Sequence, residues 1–443
     1  MRVLIRDLEY VVTMDAERTV LRKASIVVED GVITYVGKAE RLSEEDFDRV
    51  LDGSGKAAIP GLIDLHGHSL QSFFRGLYDD LPLMPWLRVT GRAYSCMTER
   101  AKLLAAKATF LEKLRFGVTT SLDMERDADV VIRAAAEVGV RLVEAAALID
   151  TEEVPFSGLR RVSSPEEELK YAEDLMRRHG RRELIRVIYG PVGFPSSSLE
   201  LLREAAEAAR EKSTLLHCHA AESTVNVELA KKIYGLREIE LLEKAGLLGP
   251  NLIIAHAVHL SDYELMALAK YGVSVAHCPS SNAKLGNGIA RVAEMVWNGV
   301  NVGLGCDGAA SNNGQDLFTE MKTASLMQKA RLGNASVLPA MKVLEMATVN
   351  AARALKMQKE IGSIEVGKRG DIVLVNLKSP ALMPTANVVS HLVYSVTGRD
   401  VDTVLVDGRV LVEGGRFRAN FPVEEFYREF EREYDEFLRR LSE

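Results

Sequence analysis

A short apolar run, Gly61-Leu62-Ile63-Asp64-Leu65, ends in His66-Gly67-His68, two histidines one residue apart. On a strand, side chains i and i+2 point the same way, so a strand here turns both imidazoles into one cavity. Neutral imidazoles at this spacing hold a single metal ion, but two satisfied buried histidines have the same spacing. The rest of the chain decides. Of the nine histidines, His217, His219, His256, His259 and His277 also stand at or near the C-terminal ends of apolar runs, and Asp307 ends another.

Those runs have a rhythm. Strand-like segments fall at 61–68, 117–122, 141–149, 184–193, 213–219, 251–258, 273–277 and 300–306. Helical patterns at 101–115, 165–178, 199–211, 226–245, 261–270 and 315–330 separate most successive pairs. Leu252-Ile253-Ile254-Ala255 is continuously apolar, as a strand buried on both faces must be. Count and texture predict an α/β fold, a closed (β/α)8 TIM-like barrel over 60–357. Short β stretches flank it, with a hairpin signal at Asp30-Gly31 early and the strands 371–375 and 401–412 late. Neither flank has enough apolar surface to fold alone, so residues 1–59 and 358–443 are read as one composite β-sandwich. The C-terminal stretch 422–443 reads as an amphipathic helix whose Phe426, Phe430, Tyr434 and Phe437 pack on the parent fold.

Composition closes other routes. A net charge of -7 gives no help to a nucleic acid or an anionic membrane partner. No stretch approaches twenty apolar residues, which argues against a membrane span, and residues 1–30 lack the apolar core of a signal peptide. Four cysteines without CxxC pairing fit thiols in a reducing cytoplasm. A G-x-S-x-G elbow, a P-loop and a dinucleotide fingerprint are all missing.

In barrels of this kind catalytic groups collect at the C-terminal ends of the strands. His66 and His68 then come from the first run, His217 and His219 from the fifth, His256 from the sixth and Asp307 from the eighth, all at one end. Ionisable groups this numerous in apolar strands would otherwise be buried without partners. The predicted ligands are His66, His68, His219 and Asp307, around one divalent ion per subunit, Zn²⁺ ahead of Fe²⁺. Such an ion would supply hydroxide from water near neutral pH. Glu222, three residues after His219, is placed as the proton carrier, and Asp307 as a proton acceptor besides a ligand. His256 polarises the substrate or serves as a further ligand; His217, one layer deeper, is a supporting residue or a ligand. On the substrate side stand Trp86, in the long loop after the first run, Val192, His259, His277, Asn282 and Ser311.

These stretches, PGLIDLHGH at 60–68, FFRGLYDDLPLMPWL at 73–87, HCHAAES at 217–223, AHAVHL at 255–260, HCPSSNAKL at 277–285 and LGCDGAASNN at 304–313, resemble the metal-dependent amidohydrolase superfamily. GSIEVGKRGDIVLV at 362–375 resembles the segment where the chain re-enters the β-domain. The similarity is to the branch of aminohydrolases and chlorohydrolases acting on purines, pyrimidines and s-triazines. It implies a mononuclear barrel with a composite β-sandwich, a homodimer or homotetramer, the four ligands above, and proton transfer by Glu222 and His256. No barrel lysine stands where binuclear members carry a carbamate bridge. The DDLPLMPWL loop and CDGAASNN resemble deaminases of S-adenosylhomocysteine, methylthioadenosine and related adenosines. Two departures, Pro85 for a ribose-binding Glu and Val192 for a His, remove hydrogen-bonding side chains. The Gly-Pro-Val-Gly-Phe-Pro run at 190–195 is more similar to the triazine side. The expected reaction is hydrolytic release of ammonia from an amino-substituted N-heterocycle. The alternatives are an adenosine-type deaminase specifically, a triazine-type chlorohydrolase, and a non-catalytic metal-binding protein.

Overall fold

The computed structural model describes residues 1–38, 43–154, 158–180, 182–418 and 422–443. Its centre is a sheet of eight strands hydrogen-bonded in chain order. They are β1 (Leu62–Asp64), β2 (Val118–Glu125), β3 (Arg141–Leu148), β4 (Ile185–Pro191), β5 (Leu216–Ala220), β6 (Leu252–His256), β7 (Ser274–His277) and β8 (Asn301–Leu304). All neighbours are parallel. Between β8 and β1 the ring is joined just above the strands: Leu65 N donates to Leu304 O and Asp307 N to His66 O, each at 2.9 Å. Gly67–His68 pairs in parallel with Asp307–Gly308.

Alternation sorts the strand residues. Ile63, Leu122, Val143, Ile188 and Ile253 fill the barrel interior, while Leu142, Val187, Leu216, Ile254 and Val275 pack outward with the helices. The sequence pattern over 226–245 resolves into two helices, Thr224–Tyr234 and Glu238–Ala245. Gly235 separates them, at φ +69, where a left-handed residue caps the first. A helix the pattern did not mark, Ala128–Val138, crosses from β2 to β3, and a small hairpin, Thr151–Val154 with Gly158–Arg161, follows β3.

The flanking strands form one nine-stranded sheet from both ends of the chain. Lys56–Pro60 pairs antiparallel with Ile372–Asn376, which is where the termini join. Its hairpin turns at Asp30 and Gly31, with φ of 47° and 82°, as the tight turn between twisted strands demands. The C-terminal helix Val423–Ser442 buries Phe426 and Phe437. Phe73, in the turn that follows His68, meets Phe430 at 4.7 Å and Phe437 at 5.7 Å between ring centroids. The helix thereby braces a segment leading out of the His66-Gly67-His68 motif. Among the described residues no helix is long and apolar enough to cross a membrane.

Candidate active site

The six expected ionisable residues meet at the C-terminal mouth of the barrel. Two groups there have ligand atoms all within 4.8 Å of one another: His66, His68 and His219, and His66, His256 and Asp307. At the strand ends Ala221 (φ 52°), His256 (72°), Ala257 (48°) and Asp307 (62°) hold backbone conformations that side chains rarely adopt. Such strain persists only where the surroundings enforce it, and here it turns the strand ends toward one point. Asp64 ties two of them together below: its Oδ1 accepts from His66 N at 3.2 Å and Cys306 N at 3.0 Å. Its Oδ2 pairs with the buried Lys113 ammonium at 2.9 Å. Lys113 therefore serves Asp64 on the helix side of β1, outside the histidine cluster.

The hydrogen bonds fix the imidazole tautomers. His68 Nδ1 faces the Met124 carbonyl and His219 Nδ1 the Val192 carbonyl, both at 2.8 Å. A carbonyl only accepts, so each Nδ1 carries the proton and each Nε2 is a bare lone pair. Those two Nε2 atoms face each other at 3.2 Å. His217 Nδ1 donates to the Ile253 carbonyl at 3.0 Å, and burial pushes this imidazole down to about 3, so its Nε2 can only accept. That Nε2 lies 2.8 Å from His66 Nδ1, which must then be the donor. His66 Nε2 is left buried without a hydrogen-bond partner, 3.5 Å from Asp307 Oδ1. Lone pairs directed at one another and at a carboxylate repel unless a cation lies among them. Ligand atoms on a tetrahedral zinc would stand about 3.3 Å apart. The separations of 3.2, 3.5 and, from His68 Nε2 to Asp307 Oδ1, 3.7 Å suit that ion.

Glu222 and His256 stand at the rim. Burial pushes the Glu222 carboxyl above the usual range, and its Oε1 lies 3.8 Å from His256 Nε2. The segment after β7 supports this side of the site. Ser281 Oγ donates to Asp307 Oδ2 at 2.5 Å, Asn282 Oδ1 accepts from His256 Nδ1 at 3.0 Å, and Asn287 Nδ2 donates to Glu222 Oε1 at 3.0 Å. The sequence gives neither Ser281, inside HCPSSNAKL, nor Asn287 a role of its own; a run of small polar residues directly after a buried strand is the signal that points to them.

A cavity of about 600 Å³ opens from these groups. One stripe of the helix Leu83–Ser95 roofs it, with Leu83, Trp86, Thr90 and Tyr94 at three-to-four-residue spacing. Trp86 and Val192 line it. Pro85 is exposed and outside the wall. His259, His277, Asn282 and Ser311 also lie outside the wall. Asn282 instead holds His256, and Ser311 Oγ donates to the Gly308 carbonyl at 3.0 Å, closing the turn after Asp307. Gly193, at φ +114, approaches so near that a Cβ would stand 2.3 Å from the His219 carbonyl oxygen. This closeness allows the Val192 carbonyl to reach the His219 ring.

Comparison with known proteins agrees with this geometry. Residues 57–411 match the amidohydrolase family. A 5'-deoxyadenosine deaminase of Methanothermobacter thermautotrophicus is 40% identical over 406 residues, 90% of this chain and 91% of that one. A 5-methylthioadenosine/S-adenosylhomocysteine deaminase of Moorella thermoacetica is 38% identical over 429 residues, covering 96% and 97%. Among solved structures, a zinc-bound adenosine deaminase of Xanthomonas campestris superposes with a TM-score of 0.92 at 29% identity, covering 98% of each chain. The zinc complex of atrazine chlorohydrolase TrzN from Arthrobacter aurescens gives 0.91 at 27%, covering 98% of this chain and 100% of that one.

Proposed function

We propose that this chain, which belongs to the amidohydrolase family, deaminates an adenosine-type N-heterocycle, with His66, His68, His219 and Asp307 as the metal ligands. The protein is an enzyme of the metal-dependent hydrolytic deaminase type, with one divalent metal site and a small heterocyclic substrate. Zinc is the ion that the donor set and the zinc-bound relatives support. A divalent ion in this site supplies a strongly nucleophilic oxygen from water near pH 7.

The residues around it handle protons. Asp307, its carboxylate oriented by Ser281 at Oδ2 and by Gly308 N at Oδ1, takes up the proton that the water gives up. Glu222, its carboxyl raised by burial and placed beside His256, delivers a proton to the ring nitrogen beside the amine-bearing carbon. His256 presents Nε2 to the reacting oxygen, its ring fixed by Asn282. Water adds, ammonia leaves, and the ring keeps a carbonyl in place of its amine. The observation that carries this reading is the set of bare, converging Nε2 atoms with a buried carboxyl, its pKa raised, at the rim.

The adenosine assignment is supported by relatives named for deaminating 5'-deoxyadenosine, 5-methylthioadenosine and S-adenosylhomocysteine. Ammonia release is to be measured with Zn²⁺- and Fe²⁺-loaded protein on those adenosines, guanine, pterins, cytosine and aminotriazines. Release from the adenosines supports the assignment, release from another ring relocates the substrate, and release from none overturns deamination. Halide release from a chlorotriazine instead would establish the chlorohydrolase alternative, for which the TrzN likeness is the support. A homodimer or homotetramer belongs to the same proposal, and sedimentation checks it.

A further inference from the structure

We infer that Glu125 is a recognition residue whose Oε2 accepts a hydrogen bond from a donor, hydroxyl or ammonium, on the substituent carried by the substrate's ring. This rests on the deaminase reading above and names the chemistry of the part of the substrate remote from the reacting amine.

Glu125 ends β2, is 5% exposed and lines the cavity. Its Oε1 is fully engaged, accepting from Leu70 N at 3.1 Å and from Tyr94 Oη, on the roofing helix, at 3.2 Å. Oε2 has no protein partner, yet it is not among the buried unpartnered atoms, so it is open to the cavity. An idle carboxylate oxygen in so enclosed a place is costly unless a ligand completes it.

Charge says what kind of group completes it. Arg126 is occupied by Glu168 at 2.9 Å and by the Ala147 carbonyl at 3.0 Å. Asp127 is neutralised by Lys102 at 2.8 Å. Among the described residues no cation pairs with Glu125. Behind it stand two more buried carboxylates: Glu144, which accepts from Glu125 N at 3.3 Å, and Asp123 on the same strand. The field there repels anions and favours donors. Burial, with Asp123 beside it, pushes the Glu125 carboxyl well above the usual range, and a donor that reaches Oε2 favours its ionised, accepting form. The position also fits. Met124, one residue earlier, holds His68 through its carbonyl, so a ring seated at the histidines extends its substituent past Glu125.

The test uses three adenines whose substituents match in length and end in hydroxyl, ammonium or methyl. Wild type is expected to favour a donor-bearing analogue over the methyl one by roughly ten- to hundredfold in kcat/KM. Glu125→Ala should bring that ratio near one through KM. The isosteric Glu125→Gln should keep part of a hydroxyl preference and lose an ammonium preference, which tells the two donors apart. Calorimetric binding of the same ligands to Glu222→Gln, with and without Glu125→Gln, reads the contact without turnover. If no analogue yields ammonia the deaminase reading fails, while the binding ratio still decides Glu125. A ratio unchanged by either substitution in folded protein, or no preference in wild type, overturns the inference.

Discussion

His217 stands directly behind His66 and takes the hydrogen bond from its Nδ1 at 2.8 Å, itself held by the Ile253 carbonyl at 3.0 Å. The relay leaves His66 only one tautomer, with Nε2 free for the ion. His217→Phe keeps the volume and breaks the relay, and should lower metal affinity roughly ten- to hundredfold. Chelator competition measures this directly; an unchanged affinity would remove His217 from that role.

Glu222 lies at the rim of the metal-binding groups and is in neither of them. Glu222→Gln should therefore leave metal content as it is and slow ammonia release by roughly 10²- to 10⁴-fold. Metal analysis alongside steady-state kinetics separates the two effects. Loss of the ion in this variant would recast Glu222 as a ligand.

His277 is buried and neither ring nitrogen has a hydrogen-bond partner; burial pushes its pKa down to about 3. In the unfolded chain it titrates near 6.5, so between those values only the unfolded state binds the proton. Its neutral form thus contributes full stability above about pH 6.5, and this is lost as pH falls toward 3, by about 5 kcal/mol across the window. His277→Leu should match wild type at pH 8 and outlast it at pH 4 in urea denaturation. Parallel acid limbs for the two proteins would contradict the assignment.

Phe437 is fully buried against Phe73, five residues beyond His68. Phe437→Ala should cost about 3–5 kcal/mol in stability. Because Phe73 leads into the loop carrying the roofing helix, KM should rise more than kcat falls. Denaturant titration and initial rates check both expectations.

Much of this is legible in the sequence. A parallel strand buried on both faces must be continuously apolar, so an imidazole or carboxylate at its end stands out, and His66, His219, His256 and Asp307 were placed that way. What escaped was whatever depends on a partner distant in the chain. Lys113 reads as one more helix lysine until Asp64 is opposite it. Ser281 and Asn287 acquire meaning only from Asp307 and Glu222. Pro85 stands where the resembling adenosine deaminases carry a ribose-binding Glu, and the sequence does not show that it faces away from the cavity; on a helix adjacent positions face about 100° apart, and of Pro85 and Trp86 only Trp86 lines the wall.

The ring of strands is fastened by a short joint, where Gly67–His68 meets Asp307–Gly308 just beyond the Leu65–Leu304 bond. The first and last staves of the barrel are thus clasped by two residues of the proposed ligand set, and withdrawing the ion leaves lone pairs facing a carboxylate inside the clasp. Chelated protein should accordingly loosen there before anywhere else in the wall, a local unbuttoning that amide exchange at Leu65 and Asp307 would register while the opposite staves stay shut.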